Sequence, residues 1–213
     1  MMKKIRILIA DDHPIVRAGF KQVISDTQDM TVADEAENGQ EVLNLIRKKD
    51  YDIVLLDISM PGRNGLEVLK DLKVEKPKLP VMILSIYPEE QYAIRALRAG
   101  ASGYMTKASA PNELIAAIRK ISQGSKYISS SLAEKLTDYL GEDASKPVHE
   151  KLSDREYQVM LMIASGKTVT DIADELCLSV KTISTYRSHI IDKMRLKNNA
   201  EITLYAVQNK LVE

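Results

Sequence analysis

The stretch Ile53-Val54-Leu55-Leu56-Asp57-Ile58-Ser59-Met60-Pro61-Gly62 places four apolar residues directly before an acid and ends in a pair of chain breakers. Four apolar residues without polar alternation predict a strand covered on both faces, as strands of parallel sheets are. Working outward, comparable runs occur at Ile5–Ala10 and Thr31–Ala36 before it, and at Val81–Leu84 and Gly103–Met105 after it. Five amphipathic segments alternate with these strands, at about Pro14–Asp26, Gly39–Lys48, Gly65–Glu75, Glu89–Ala99 and Pro111–Gln123. Five consecutive strand–helix pairs imply right-handed crossovers. The fold class is therefore α/β, a doubly wound five-stranded parallel sheet.

Such a sheet collects ligands at the carboxyl ends of its strands, where neighbouring connections diverge; in the order 2-1-3-4-5 that point lies between strands one and three. Asp11 and Asp12 end the first strand and Asp57 ends the third. Three carboxylates in one crevice repel one another unless a cation is present. Mg2+ suits them, since it prefers hard oxygens and keeps positions open for water and phosphate. Ser85 and Lys107 end two further strands on the same rim. A hydroxyl and an ammonium beside such a cation can neutralise the oxygens of a transferred phosphoryl group. A carboxylate can itself be the nucleophile, forming an acyl phosphate. Asp57 is the choice for that role, because Asp11 and Asp12 share one loop and suit joint metal coordination.

The chain has 213 residues, which suggests two domains. Basic and acidic residues balance at 30 each, so the protein is no general polycation. After Gly124 a helix is expected at about Ser130–Tyr139, then a polar linker, Gly141–Pro147. Beyond it the pattern is wholly helical. Ser153 with Glu156 and Thr168 with Asp171 form capping boxes, Ser179 caps a helix running to Met194, and a last helix covers about Ala200–Asn209. Val180, Ile183, Ile190 and Met194 form an apolar stripe, with Lys181, Ser184, Thr185 and Ser188 opposite. Short hydrogen-bonding side chains flanked by long cations suit base edges and phosphates. From Ser179 to Lys197 there are five basic residues, Lys181, Arg187, Lys193, Arg195 and Lys197, against the single acid Asp192. Arg187 sits near the apolar stripe, where its stem can cover core surface while its head reaches a phosphate. A short helix, a tight turn at Cys177-Leu178-Ser179 and a longer exposed helix make a helix-turn-helix. Cys177, between two leucines, is expected to be a small buried hydrophobe. No apolar run reaches the ~20 residues of a membrane helix, and a cytoplasmic location is expected.

Asp11-Asp12, Asp57 with Ile58-Ser59-Met60-Pro61-Gly62, Ser85, Tyr104 and Lys107 together resemble the receiver domain of two-component response regulators. Leu152-Ser153-Asp154-Arg155-Glu156, Thr170–Ala173, Ser179–Ile183 and Lys193-Met194 resemble the LuxR-type helix-turn-helix. Together the halves resemble the NarL/FixJ class: a flavodoxin-like receiver at 1–124, a helix and linker at 125–150, and a small all-α DNA-binding domain at 151–213. The resemblance implies that a sensor histidine kinase phosphorylates Asp57, and that Asp11, Asp12, Asp57 and the Ser59 carbonyl hold Mg2+. It also implies that Ser85 and Lys107 contact the phosphoryl oxygens and that Tyr104 reorients as a switch. It departs from the common receiver pattern at Ile86, where many receivers carry alanine. Double-stranded DNA, a second copy of the chain upon phosphorylation and RNA polymerase are the further expected partners. The protein would catalyse its own phosphorylation and dephosphorylation without being a turnover enzyme.

The principal rival is an aspartate-nucleophile, Mg2+-dependent phosphatase. Such enzymes typically carry a second acid two residues after the nucleophile, where this chain has Ser59. A nucleotide-binding reading fails for want of a glycine-rich phosphate loop. His13, His149 and His189 are too scattered to suggest a transition-metal site.

Overall fold

The computed structural model describes residues 4–109, 111–129, 132–133 and 147–212. The helix expected at Ser130–Tyr139 and the linker at Gly141–Pro147 lie outside them, apart from Leu132, Ala133 and Pro147. The chain divides into two compact units, residues 1–136 and 137–213.

In the first unit the strands are β1 (Ile5–Ala10), β2 (Met30–Ala36), β3 (Ile53–Asp57), β4 (Val81–Ser85) and β5 (Gly103–Thr106). They alternate with α1 (Pro14–Ser25), α2 (Gly39–Lys48), α3 (Gly65–Glu75), α4 (Glu89–Arg98) and α5 (Pro111–Ser122). The sheet is parallel, in the order β2-β1-β3-β4-β5. Strands β3 and β4 are buried along their whole length, as their unbroken apolar runs require. Edge strand β2 carries Thr31, Asp34 and Glu35 and is only half buried between its ends. Ile7, Ile9, Ile53, Leu55, Met82, Leu84 and Met105 pack with Ile24, Leu114, Ile118 and Ile121 in one core layer. The alternate residues Leu8, Val54, Leu56, Ile83 and Tyr104, equally buried, point to the opposite face.

Both strands that carry key polar residues run one residue further than their apolar runs suggest. Asp57 pairs with Leu84, and Ser85 with Thr106. The acid and the hydroxyl are therefore held by the sheet ladder rather than by a loop.

In the second unit a 3-10 turn, Val148–Lys151, precedes α6 (Asp154–Ala164), α7 (Val169–Glu175), α8 (Val180–Met194) and α9 (Asn199–Gln208). Both expected capping boxes are present, and Ser179 accepts the Thr182 N–H. Ile172, Ile183, Ile190, Met194, Ile202 and Ala206 are buried. Two expectations fail. Val180 is 49% exposed, because it starts α8 and has no preceding turn to pack beside. Cys177 is exposed as well. It occupies a left-handed turn position, φ 52°, where the chain reverses between α7 and α8 and turns the side chain outward. Among the described residues no helix is long and apolar enough to cross a membrane.

Candidate functional site

The rim of the sheet between β1 and β3 brings the predicted acids together. Asp57, the last residue of β3, and Asp11, the first after β1, are each 1% exposed. Lys107 reaches in from beyond β5, its Nζ 2.6 Å from Asp11 Oδ2 and 3.0 Å from Asp57 Oδ2. Its backbone N–H donates to the Ser85 carbonyl at 2.7 Å, which fastens the lysine to the end of β4. Asp57 Oδ1 is buried without a hydrogen-bond partner. Burial pushes the Asp57 carboxyl up to about 6, the Lys107 ammonium opposing the rise and the Asp11 charge adding to it. Burial works against the charge on Lys107, but Asp57 and Asp11 outweigh it and hold the ammonium above its ordinary value.

Asp12 stands half buried beside this pair, and one ligand atom each from Asp11, Asp12 and His13 lie within 4.8 Å of one another. His13 donates its backbone N–H to Asp11 Oδ1 at 2.9 Å, and its Nδ1 lies 2.8 Å from Asp12 Oδ1. Ser59 lies in the loop joining Asp57 to α3. That loop is closed by Gly65, whose N–H donates to the Ile58 carbonyl at 2.9 Å, and by buried Asn64, whose side chain caps α3.

Ser85 and Tyr104 are fully buried and meet at Tyr87. Ser85 Oγ accepts the Tyr87 N–H at 3.1 Å, and the Tyr104 hydroxyl donates to the Tyr87 carbonyl at 2.8 Å. Burial holds the Tyr104 phenol well above its ordinary pKa, so it remains a donor. Ile86 is exposed, and its bulk lies outside the core.

Several residues that build this site escaped the sequence reading. Buried Arg17 donates Nη1 to the Asp11 carbonyl at 2.7 Å and pairs with Glu35 and Glu37, which anchors the loop carrying the acids. A cation three residues before Phe20 and seven before Ile24, on the apolar stripe of α1, was the available signal. Asn64 with Glu67 three residues on was a readable helix-start signal, whereas His13 and Gly65 carried no local signal for their roles.

In the second unit Lys181, Ser184, Thr185 and Ser188 are all exposed on α8, while Ile183, Ile190 and Met194 face inward. Thr185 Oγ1 donates to the Lys181 carbonyl and Ser188 Oγ to the Ser184 carbonyl, so each can still accept from another partner but must release its carbonyl to donate to one. Arg195 and Lys197 are exposed just beyond α8. Lys193 instead donates to both oxygens of buried Glu156, at 2.6 and 2.8 Å, and so ties α8 to α6. Arg187 Nε donates to Asn199 Oδ1 at 2.5 Å, which directs the guanidinium toward the start of α9.

Residues 7–119 match the response regulator receiver domain family, and residues 150–206 match the luxR family of bacterial regulatory proteins. The chain is similar to the response regulator GacA of Pseudomonas aeruginosa, 36% identical over 211 residues that cover 98% of each protein. It is similar to the response regulator UvrY of Escherichia coli K12, 33% identical, covering 97% of this chain and 95% of that one. Its fold is similar to that of RcsB from Salmonella enterica serovar Typhimurium bound to promoter rprA with the phosphomimetic BeF3-, at TM-score 0.66 and 27% identity. That similarity covers 95% of this chain and 98% of RcsB.

Proposed function

Because the chain belongs to the NarL/FixJ-class response regulators, which join a receiver to a LuxR-type DNA-binding domain and regulate transcription, we propose that Asp57 is its phosphoacceptor and that phosphorylation there favours a DNA-binding homodimer. The observation that carries this reading is the Asp57 carboxylate itself: buried at the rim, one oxygen beside Lys107 and the other unpartnered. In the transfer an Asp57 oxygen bonds to phosphorus as the bond from phosphorus to a histidine nitrogen of the sensor kinase breaks. Lys107 neutralises charge on the phosphoryl oxygens and Ser85 offers its hydroxyl to one of them.

The donor set fits Mg2+: hard carboxylate oxygens gathered at one rim, with Asp57 Oδ1 buried without a hydrogen bond and Asp11 Oδ2 and Asp57 Oδ2 facing Lys107. Asp11, Asp12, Asp57 and the Ser59 carbonyl would hold the ion, which when bound would offset the charge gathered around the transferred group. Incubation with acetyl phosphate and Mg2+ tests the reading through a labile mass increase that depends on Asp57.

The raised pKa of Asp57 sets the pH dependence of metal binding. Its folded value, about 6, lies above the ordinary 3.8, so folding favours the protonated acid. That contribution is complete below the ordinary value and is lost as pH rises through the folded one. Above that range the fold carries an ionised Asp57 that a divalent cation can stabilise, whereas below it protons compete with the metal. Mg2+ should therefore raise the melting temperature clearly at about pH 7.5 and by less than half as much at about pH 5. In Asp57→Asn the difference between the two pH values should shrink. An equal Mg2+ effect at both pH values in the wild type contradicts the assignment.

We assign residues 1–124 to the receiver, 125–150 to a helix and linker, and 151–213 to the DNA-binding domain. One helix-turn-helix with few phosphate contacts binds weakly, whereas two copies read two half-sites about one helical turn apart. A receiver face whose affinity for its twin changes by ~1–3 kcal/mol alters occupancy about five- to 150-fold. Leu204 and Val207, three residues apart on α9, are 56% and 46% exposed, which supports α9 as the helix that pairs the DNA-binding domains. Lys181, Ser184, Thr185 and Ser188 would enter the major groove. Arg187, Arg195 and Lys197 would serve phosphates, with Lys193 joining them only by leaving Glu156.

The two sets should separate by experiment. Lys197→Ala should weaken operator and random duplex alike and flatten the salt dependence by about one unit of slope. Thr185→Ala should mainly reduce discrimination, by roughly five- to 150-fold if one base contact worth ~1–3 kcal/mol is lost. Equal loss of specificity from both, measured by fluorescence anisotropy over a salt series, removes the assignment.

A further inference from the structure

The segment that follows α5 stays on the sheet. Tyr127 forms a parallel bridge with Gly103 on edge strand β5, its N–H donating to the Ser102 carbonyl at 2.9 Å. The approach leaves no room for a side chain at position 103, where a Cβ would lie 2.9 Å from the Tyr127 carbonyl oxygen. Two residues further on, Ser129 donates its hydroxyl to Glu89 at the start of α4, at 2.5 Å. The same oxygen accepts the N–H of Leu132, whose side chain is buried. The strap is thus held at two places, β5 and α4.

Both anchors adjoin the polar network behind the rim. Gly103 immediately precedes Tyr104, whose hydroxyl bonds the Tyr87 carbonyl, and Glu89 follows Tyr87 by two residues. Tyr87 in turn is held through its N–H by Ser85 Oγ, and its ring lies 5.0 Å from that of Tyr92 on α4. Displacing Ser85 therefore displaces the loop that positions Glu89. Among the described residues the strap is held by one backbone bridge, one hydroxyl–carboxylate bond, the Tyr127 ring packed against the core and the buried Leu132, a small set of contacts that can open without the rest of the receiver, as local units of a fold do.

We propose that residues Tyr127–Ser129 form a latch whose closure is set by the Ser85–Tyr87–Tyr104 contacts, so that a phosphoryl group on Asp57, by drawing Ser85 toward it, frees the segment leading away from the receiver. The latch rests on Asp57 being the phosphoacceptor. Its state is carried onward by the chain itself, which after Ser129 leads to the second domain.

Hydrogen exchange at the Tyr127 amide, followed by NMR on the full chain, tests it. Acetyl phosphate with Mg2+ should speed that exchange about fivefold or more in the wild type. Tyr104→Phe, which removes one hydroxyl and no bulk, should speed it without phosphate, because the hold on Tyr87 is lost. Ser129→Ala and Gly103→Ala should do the same from the strap side, and phosphorylation should then add little. Intact mass, read on the same samples, separates the failures. Exchange unchanged in protein carrying the mass increase overturns the latch, whereas absence of the increase overturns the Asp57 reading and the phosphoryl trigger with it. Unchanged exchange in Tyr104→Phe overturns the relay whether or not phosphorylation occurs.

Discussion

Asp57→Ala is expected to abolish the acyl phosphate, with labelling by acetyl phosphate down about a hundredfold or more, and to leave DNA affinity at its unphosphorylated level whether or not a phosphodonor is present. The size of the effect follows from chemistry: the substitution removes the atom that bonds to phosphorus, and no neighbouring acid has the same placement. Asp11 is also buried, but one of its oxygens accepts the His13 N–H while the other lies 2.6 Å from Lys107. Asp12 is paired with His13. The fold should survive, because Lys107 keeps Asp11 as a partner and the repulsion between the two buried acids disappears. Asp12→Ala should act differently, weakening Mg2+ binding and slowing transfer while leaving the nucleophile in place. Mass spectrometry of the intact protein checks both. Wild-type labelling of Asp57→Ala removes the nucleophile assignment.

Gly65→Ala should unfold or severely weaken the receiver, by about 3 kcal/mol or more. Alanine is the better helix former by about 1 kcal/mol, so propensity alone forecasts a gain at the first position of α3. Packing forecasts the reverse. A Cβ on Gly65 would lie 2.0 Å from the Asp57 carbonyl oxygen and 2.8 Å from the Ile58 Cα, both backbone atoms that no rotamer change can move aside. The chain must shift at the residue that accepts the phosphoryl group, and with it the loop bearing Ser59. Calorimetry should show the receiver transition at markedly lower temperature, and acetyl phosphate labelling should fall in parallel. A raised melting temperature would mean that α3 enters the site with more freedom than the close approach allows.

Most of the fold was legible because its signals are local. Apolar runs such as Ile53–Leu56 mark strands covered on both faces, the 3.6-residue rhythm marks α1 to α5, and Ser153–Glu156 and Thr168–Asp171 mark helix starts through bonds spanning three residues. Among the described residues, the predicted ends of strands and helices fall within three residues of those observed. The strand order 2-1-3-4-5, expected of a flavodoxin-like doubly wound sheet, is the order observed. Where a residue's fate depends on distant chain, reading by neighbours failed. Cys177 looked buried between two leucines, yet a left-handed turn exposes it. Nor did the neighbours of Lys193 reveal that Glu156, 37 residues away in sequence, accepts its ammonium.

The sequence by itself determined which elements form, that they make a parallel sheet followed by a helical unit, and which acids, hydroxyl and lysine end the strands on one rim. Those properties depend on side-chain periodicity and on residues a few positions apart. Only the tertiary structure decided that Lys107 lies between Asp11 and Asp57, that Arg17 anchors the loop carrying Asp11, that position 65 must be glycine, and that Tyr127 and Ser129 strap the chain to β5 and α4. Each joins segments far apart in the chain, so its geometry exists only once the strands have paired and the helices have packed on them, and no pattern within a single segment encodes the distance.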